Sequence, residues 1–280
     1  MQVPVLLLAL LTRAAATATA DPCDARSDVP CLHVFPCQDA DARLAVVEHF
    51  WLVDTTPGVL KRPRQNTRVE LCHDAGGLHV HGNATDYNIF TSSTHCNNET
   101  YAEGGVLETF MGPVETPFDA PRVYQEQDAS PSAVLWAGVI HKPDLGNVTN
   151  CNLGGPAPDE LCLTAGVLPG CTGKDTFPGM GAGLNVNVTN STRGSGTQAK
   201  PGWWADHLFV PWSLFNGYFA NGDAARAGPG GKPWGLWRLN LYRYDYPYGD
   251  RTTHELSGWS STFCDSFHVP QRFGVMVLVD

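Results

Sequence analysis

The chain alternates short apolar or β-branched runs with Gly, Pro, Asn and Asp. Such runs fall at residues 45–53, 67–72, 78–84, 105–110, 122–127, 133–140, 203–210, 236–245 and 273–279. Several of them alternate apolar and polar positions, the period of a half-buried strand, and helical periods are scarce. Short strands separated by turn residues predict an all-β fold, a β-sandwich of two sheets in the jelly-roll or immunoglobulin-like manner, with long disulfide-tied loops. Alternation also assigns faces. Arg238, Asn240, Tyr242, Tyr244 and Tyr246 share one face of their strand, opposite Leu239, Leu241 and Arg243. The Tyr-rich face is either a wet, ligand-sized surface or a cross-strand aromatic ladder. Trp203 and Trp204 must point to opposite faces, so one fills the core and the other is open to a ligand, while Trp51 and Trp136 sit in apolar runs and are expected in the core.

Three stretches lack the strand period. Residues 142–202 are crowded with Gly, Pro, Asn and Thr and carry Cys151, Cys162 and Cys171, so they read as a loop excursion tied by disulfides. A shorter excursion, residues 86–103, holds Cys96. Residues 21–44 contain Cys23, Cys31 and Cys37 without an apolar period, and are expected to clamp one end of the domain as a Cys-rich extension rather than to join the core. Residues 1–20 read as a signal peptide, with an apolar run at Val5–Leu11 followed by the small-x-small sequence Ala18-Thr19-Ala20. The organisation is then a leader (1–20), the extension (21–44) and one β domain (45–280). The last run is too short for a lipid-anchor signal, and no span of the chain is predicted to cross a membrane.

Composition narrows the compartment and the partners. Nine cysteines, the remaining two being Cys72 and Cys264, suit an oxidising compartment, and no C-x-x-C pair favours a metal instead. The odd count leaves at least one thiol free or joined to another chain, and the pairing stays open. N-x-S/T sequons at Asn83, Asn98, Asn147, Asn187 and Asn190 agree with an extracellular glycoprotein. A formal charge of −10 with scattered Lys and Arg excludes nucleic acid as a partner, whereas a neutral sugar or a calcium-bearing partner is compatible with it.

From residue 67 onward, six blocks occur in one order. They are Thr67–Val80, a strand, an acidic turn and a second strand; Val106-Leu107-Glu108-Thr109-Phe110; Tyr124-Gln125-Glu126 with Ser130–Trp136; Trp203–Phe215; Trp237-Arg238-Leu239-Asn240-Leu241-Tyr242-Arg243; and Trp259-Ser260 with Phe267-His268-Val269-Pro270-Gln271-Arg272-Phe273-Gly274. This series resembles the family 9 carbohydrate-binding module, in its branch with Trp-Arg-x-Asn and Phe-His-x-Pro-x-x-Phe-Gly blocks. The resemblance implies a non-catalytic module that holds a terminal sugar between two tryptophans amid charged and amide side chains. Here Phe267 stands where the family has the second tryptophan, and the first platform falls near Tyr101 and Ala102. Glu108 matches a ligand-bonding glutamate, and Gln125 and Tyr242 fall opposite other polar contacts; Arg238 and Asn240 complete the expected ligand set. The resemblance also implies a structural calcium, for which Asp54, Asp74 and Asp86 are available carboxylates, although no other cofactor is required.

The remaining chemistry is sparse. His79 and His81 share a strand face, a spacing that suits copper or zinc but lacks a third ligand in sequence. His268 is expected to pin its loop by hydrogen bonds. No nucleophile turn, His-Glu-x-x-His motif or phosphate loop occurs, so no catalytic residue is assigned; Glu108, Glu126, Asp245 and Glu255 are the carboxylates from which a glycosidase pair would be drawn. The expected function is a secreted lectin-like module for plant-type or cell-wall polysaccharide or its sugar ends. Its rivals are a structural extracellular glycoprotein making protein contacts and a component of glycan catabolism with weak glycoside hydrolase activity.

Overall fold

The computed structural model describes residues 21–37, 44–92, 100–132, 134–142, 144–146, 157–160, 202–215, 235–249 and 251–279. The strands are β1 (Cys31–Val34), β2 (Ala45–Val47), β3 (Trp51–Leu52), β4 (Thr67–His73), β5 (Gly77–Asp86), β6 (Val106–Pro113), β7 (Val123–Ala129), β8 (Leu135–His141), β9 (Ala157–Glu160), β10 (Gly202–Pro211), β11 (Leu236–Asp245), β12 (Glu255–Gly258) and β13 (Gly274–Leu278). They form two sheets, as the punctuated strand pattern predicts. The larger has the order β1-β13-β11-β6-β7-β8-β9, with β12 joining β11 to β3; the smaller has the order β10-β5-β4-β2.

The main core lies between the sheets, because alternation turns Trp237, Leu239 and Leu241 of β11, Met111 of β6 and Val139 of β8 toward Val69, Leu71, Leu78, Val80 and Leu208 of the smaller sheet. Burying each such side chain contributes about 1.5–3 kcal/mol. At one end of the sandwich, the inward Arg243 of β11 donates to the Thr85 carbonyl (2.9 Å) and pairs with Asp245 (2.9 Å) and with Asp86 of β5 (3.4 Å). Gln65 and Trp204 donate to these same two carboxylates, Gln65 Nε2 to Asp245 Oδ2 at 2.5 Å and Trp204 Nε1 to Asp86 Oδ2 at 3.2 Å. Even beside Arg243, burial holds the Asp86 carboxyl up to about 6.

Three strands appear where no strand period was read. Residues 31–34, expected to stay outside the core, form β1, which runs parallel to β13 and buries Val34 completely. Four residues are too few to show a period, and the pairing needs a partner at the far end of the chain. β9 lies inside the 142–202 excursion and pairs antiparallel with β8; an edge strand needs only backbone partners on one side and tolerates Pro158. The short β12 pairs with β11. Trp51 and Trp136 are half-buried rather than sealed in the core. The tryptophan pair divides as alternation requires, with Trp204 fully buried and Trp203 exposed at 42%.

Two disulfides, Cys23–Cys31 and Cys37–Cys72, fasten the N-terminal segment to itself and to β4. Cys264 is disulfide-bonded as well; Cys96, Cys151, Cys162 and Cys171 lie outside the described residues, as do the sequons at Asn98, Asn147, Asn187 and Asn190. Asn83 is exposed on the outer side of β5. Among the described residues no helix is long and apolar enough to cross a membrane.

Replacing Arg243 by Leu would strand two buried carboxylates, and we expect it to lower the unfolding free energy in urea by about 3–5 kcal/mol; a change below about 1 kcal/mol would show that the pair does not bind the sheets together.

Candidate functional site: the outer face of the larger sheet

Of the expected ligand residues, Arg238, Asn240 and Tyr242 of β11 and Glu108 of β6 lie on the face of the larger sheet turned away from the smaller one. Register places Glu108 of β6 between Tyr242 of β11 and Asp128 of β7, and Phe110 between Asn240 and Glu126. Carboxylate oxygens of Glu108, Glu126 and Asp128 lie within 4.8 Å of one another, and all three residues are buried. Burial, reinforced by the neighbouring acids, pushes the Glu108 and Glu126 carboxyls well above the usual range. Among the described residues the ring of His268 approaches this cluster, its Nε2 3.8 Å from Glu126 Oε2 and its Nδ1 2.8 Å from the Tyr124 hydroxyl. Burial brings His268 down to about 4, so at neutral pH it ties the loop to β7 as an uncharged ring.

The rest of this face is closed by the chain segment that follows β12. Tyr242 stacks on Phe267 at 4.1 Å and donates its hydroxyl to the Phe267 carbonyl. Phe110, Tyr124, Phe267 and Phe273 complete a second apolar cluster around Tyr242. Of the two readings that alternation left open for the Tyr-rich face, the structure shows over this part a packed aromatic cluster rather than a wet surface. Arg238 donates to the carbonyls of Phe273, Gln271 and Asp119, and Asn240 exchanges hydrogen bonds with both the N–H and the carbonyl of Ser260. Both side chains are spent on loop backbone rather than presented to a ligand. Gln125 departs further from expectation. It points inward, between the sheets, and donates to the Leu214 carbonyl. Alternation places Glu126, not Gln125, on the face of Glu108, a signal present in the sequence and missed there.

Aromatic rings reach solvent at one edge of the same face. Tyr101, on the short helix Thr100–Glu103, is exposed at 41%, and its ring lies 5.9 Å from Tyr244. Tyr246 donates its hydroxyl to the Tyr101 carbonyl, fixing the helix over β11, and the exposed His254 ring stands 5.0 Å from Tyr244. Tyr244 is one residue beyond the expected set, on the same face two positions from Tyr242. A separate cleft of about 640 Å³ lies to the side, lined by Trp51, Leu60, Trp259, Phe263, Asp28 and Arg272. Arg62 covers the Trp51 ring at 4.2 Å and Arg272 the Phe263 ring at 4.8 Å.

The three calcium candidates do not converge. Asp86 is held by Arg243 and Trp204, Asp74 accepts the N–H groups of Gly76 and Gly77, and Asp54 is exposed. Among the described residues, three carboxylates that do converge are Glu108, Glu126 and Asp128. Of the acids considered for a glycosidase pair, Asp245 faces the core beside Arg243 and Glu255 accepts the Arg64 N–H.

No family model matches the chain. A protein of Arthroderma benhamiae named extracellular protein is 23% identical over 221 residues, 78% of this chain and 81% of that one. Among solved structures, a candidate carbohydrate-binding protein from Bacteroides uniformis superposes with a TM-score of 0.53 at 11% identity, covering 89% of this chain and 99% of that one. A family 9 carbohydrate-binding module from Caldicellulosiruptor kristjanssonii in complex with cellotriose gives 0.45 at 8% identity, over 89% of this chain and 93% of that one. The likeness to the Bacteroides protein establishes the fold.

The raised carboxyls carry a pH signature. A group whose folded pKa lies above its unfolded value stabilises the fold below the unfolded pKa, and that stability is lost as pH rises through the folded value. Glu108→Gln is thus expected to raise the melting temperature relative to the unmodified protein at pH 8 and to leave it nearly unchanged at pH 4. Calorimetry at the two pH values checks this; equal shifts at both would mean that ionisation of the cluster is not what is being relieved.

Proposed function

We propose that this protein is a secreted carbohydrate-binding module that takes a sugar at the exposed aromatic edge formed by Tyr101, Tyr244 and His254. The observation that carries the reading is Tyr101, an exposed ring anchored through its backbone to Tyr246 and set beside Tyr244 on the sheet face that also holds Glu108. A pyranose lays its C–H face on such a ring while its hydroxyls find planar polar partners. The fold shared with a candidate carbohydrate-binding protein supports the class of function, and the relative named as extracellular supports the compartment. Phe267 and Tyr242 then act beneath the site, holding the C-terminal segment in place. Glu108 lies buried on the same face, opposite Tyr242 rather than open to the ligand, and a plant-type or cell-wall glucan or xylan end is the ligand class. A protein-contact role is the second reading, favoured by Val59 and Leu60, exposed at 42% and 49% near the side cleft.

A glycan array with purified protein separates these readings. Retention of glucose- or xylose-type glycans is expected, and Tyr101→Ala and Tyr244→Ala should each weaken it about tenfold, roughly 1.4 kcal/mol, with little change in melting temperature. Retention that survives both substitutions but is lost in Leu60→Asp would move the site to the side cleft, and no retention of any glycan would leave the protein-contact role.

A further inference from the structure

The smaller sheet's outer face carries chemistry that the carbohydrate reading does not use. His79 and His81 are two apart on β5 and therefore point the same way, and β10 sets His207 directly opposite His81. Three imidazoles thus line two adjacent strands, half-exposed to solvent, with the His79 and His207 nitrogens in contact and His81 stacked on His207. His79 Nδ1 and His207 Nε2 are 3.2 Å apart. Two nitrogens bound to one tetrahedral zinc at about 2.0–2.1 Å sit about 3.3 Å from each other, so this pair is already spaced for a shared ion. The second nitrogen of His79 is spoken for, with Nε2 3.0 Å from Asp74 Oδ2. That carboxylate is itself fixed by the N–H groups of Gly76 at 2.7 Å and Gly77 at 2.9 Å. A carboxylate on the far nitrogen is the arrangement that orients metal-bound histidines and selects which nitrogen is left to bind.

We propose that His79, His207 and His81 form a binding site for a divalent transition metal of the zinc and copper class, with Asp74 as the positioning residue behind His79. His79 supplies Nδ1 and His207 supplies Nε2. His81, stacked on His207 with ring centroids 4.1 Å apart, turns about its side-chain bonds to supply the third nitrogen. A solvent molecule takes the fourth position, since the face is open to water. Glu70 of β4 stands opposite His81 on its other side, paired there with Arg68. The third ligand that sequence spacing could not supply is provided by a strand more than a hundred residues away.

The test is titration of the full chain, in a non-chelating buffer at neutral pH, with zinc chloride and separately with copper(II) chloride, followed by calorimetry. One ion per chain is expected. His79→Ala and His207→Ala should each weaken binding at least about a hundredfold, and Asp74→Asn about 10–100-fold, while His49→Ala changes nothing. His207→Gln, closer in shape, serves if the alanine variant does not fold by circular dichroism. Copper bound to the unmodified protein should show nitrogen hyperfine structure in its electron paramagnetic resonance spectrum. Absence of stoichiometric binding, or binding that persists in a His79→Ala/His207→Ala double variant, overturns the site and identifies the 3.2 Å contact as a hydrogen bond between the two rings. Glycan retention is read on separate samples and is independent of this result.

Discussion

The architecture hangs on β11, a strand committed on both faces. Its inward residues Trp237, Leu239 and Leu241 fill the space between the sheets, and its outward residues Arg238, Asn240 and Tyr242 each reach a backbone group of the segment that follows β12. That segment has little regular structure, so its carbonyls would otherwise be buried without partners. The guanidinium of Arg238, spanning Asp119, Gln271 and Phe273, gathers two loops at once. With these groups in place, Phe267 can stack on Tyr242 and the outer face becomes a second core.

Much of this was legible in the residues. Nearly every apolar run became a strand, and the division of Trp203 from Trp204 followed from alternation alone. What could not be read was occupancy of a face. Tyr242 and Tyr244 have the same identity and the same side of the strand, yet one lies under Phe267 and the other beside exposed Tyr101. The difference is made by a loop more than twenty residues later in the chain, and no local period encodes it. The same limit explains His207 and β1, since both depend on partners distant in sequence. Gln125 is a different kind of error, because its neighbour Glu126 satisfied the alternation and Gln125 did not.

Charge is sorted between the two outer faces. On the larger sheet, Glu108 and Glu126 are buried with their carboxyls raised, so this face carries less negative charge near neutrality than its composition suggests. A neutral sugar approaching Tyr101 would meet little electrostatic opposition there. On the smaller sheet the imidazoles and Asp74 remain open to solvent. The sandwich thus keeps a ring-lined edge and a nitrogen-rich patch apart from each other, with the core between them.

The parallel pairing of β1 with β13 has a consequence for biogenesis. Cys31 lies across from Val275, so the edge of the larger sheet closes only after almost the whole domain has been synthesised. Until then Val34 has no partner strand, whereas the cysteines of the two disulfides, Cys23–Cys31 and Cys37–Cys72, all lie within the first 72 residues. The N-terminal segment can therefore be fastened covalently to β4 well before its own strand finds a neighbour, so the covalent and the hydrogen-bonded closure of this end of the sandwich are separate events.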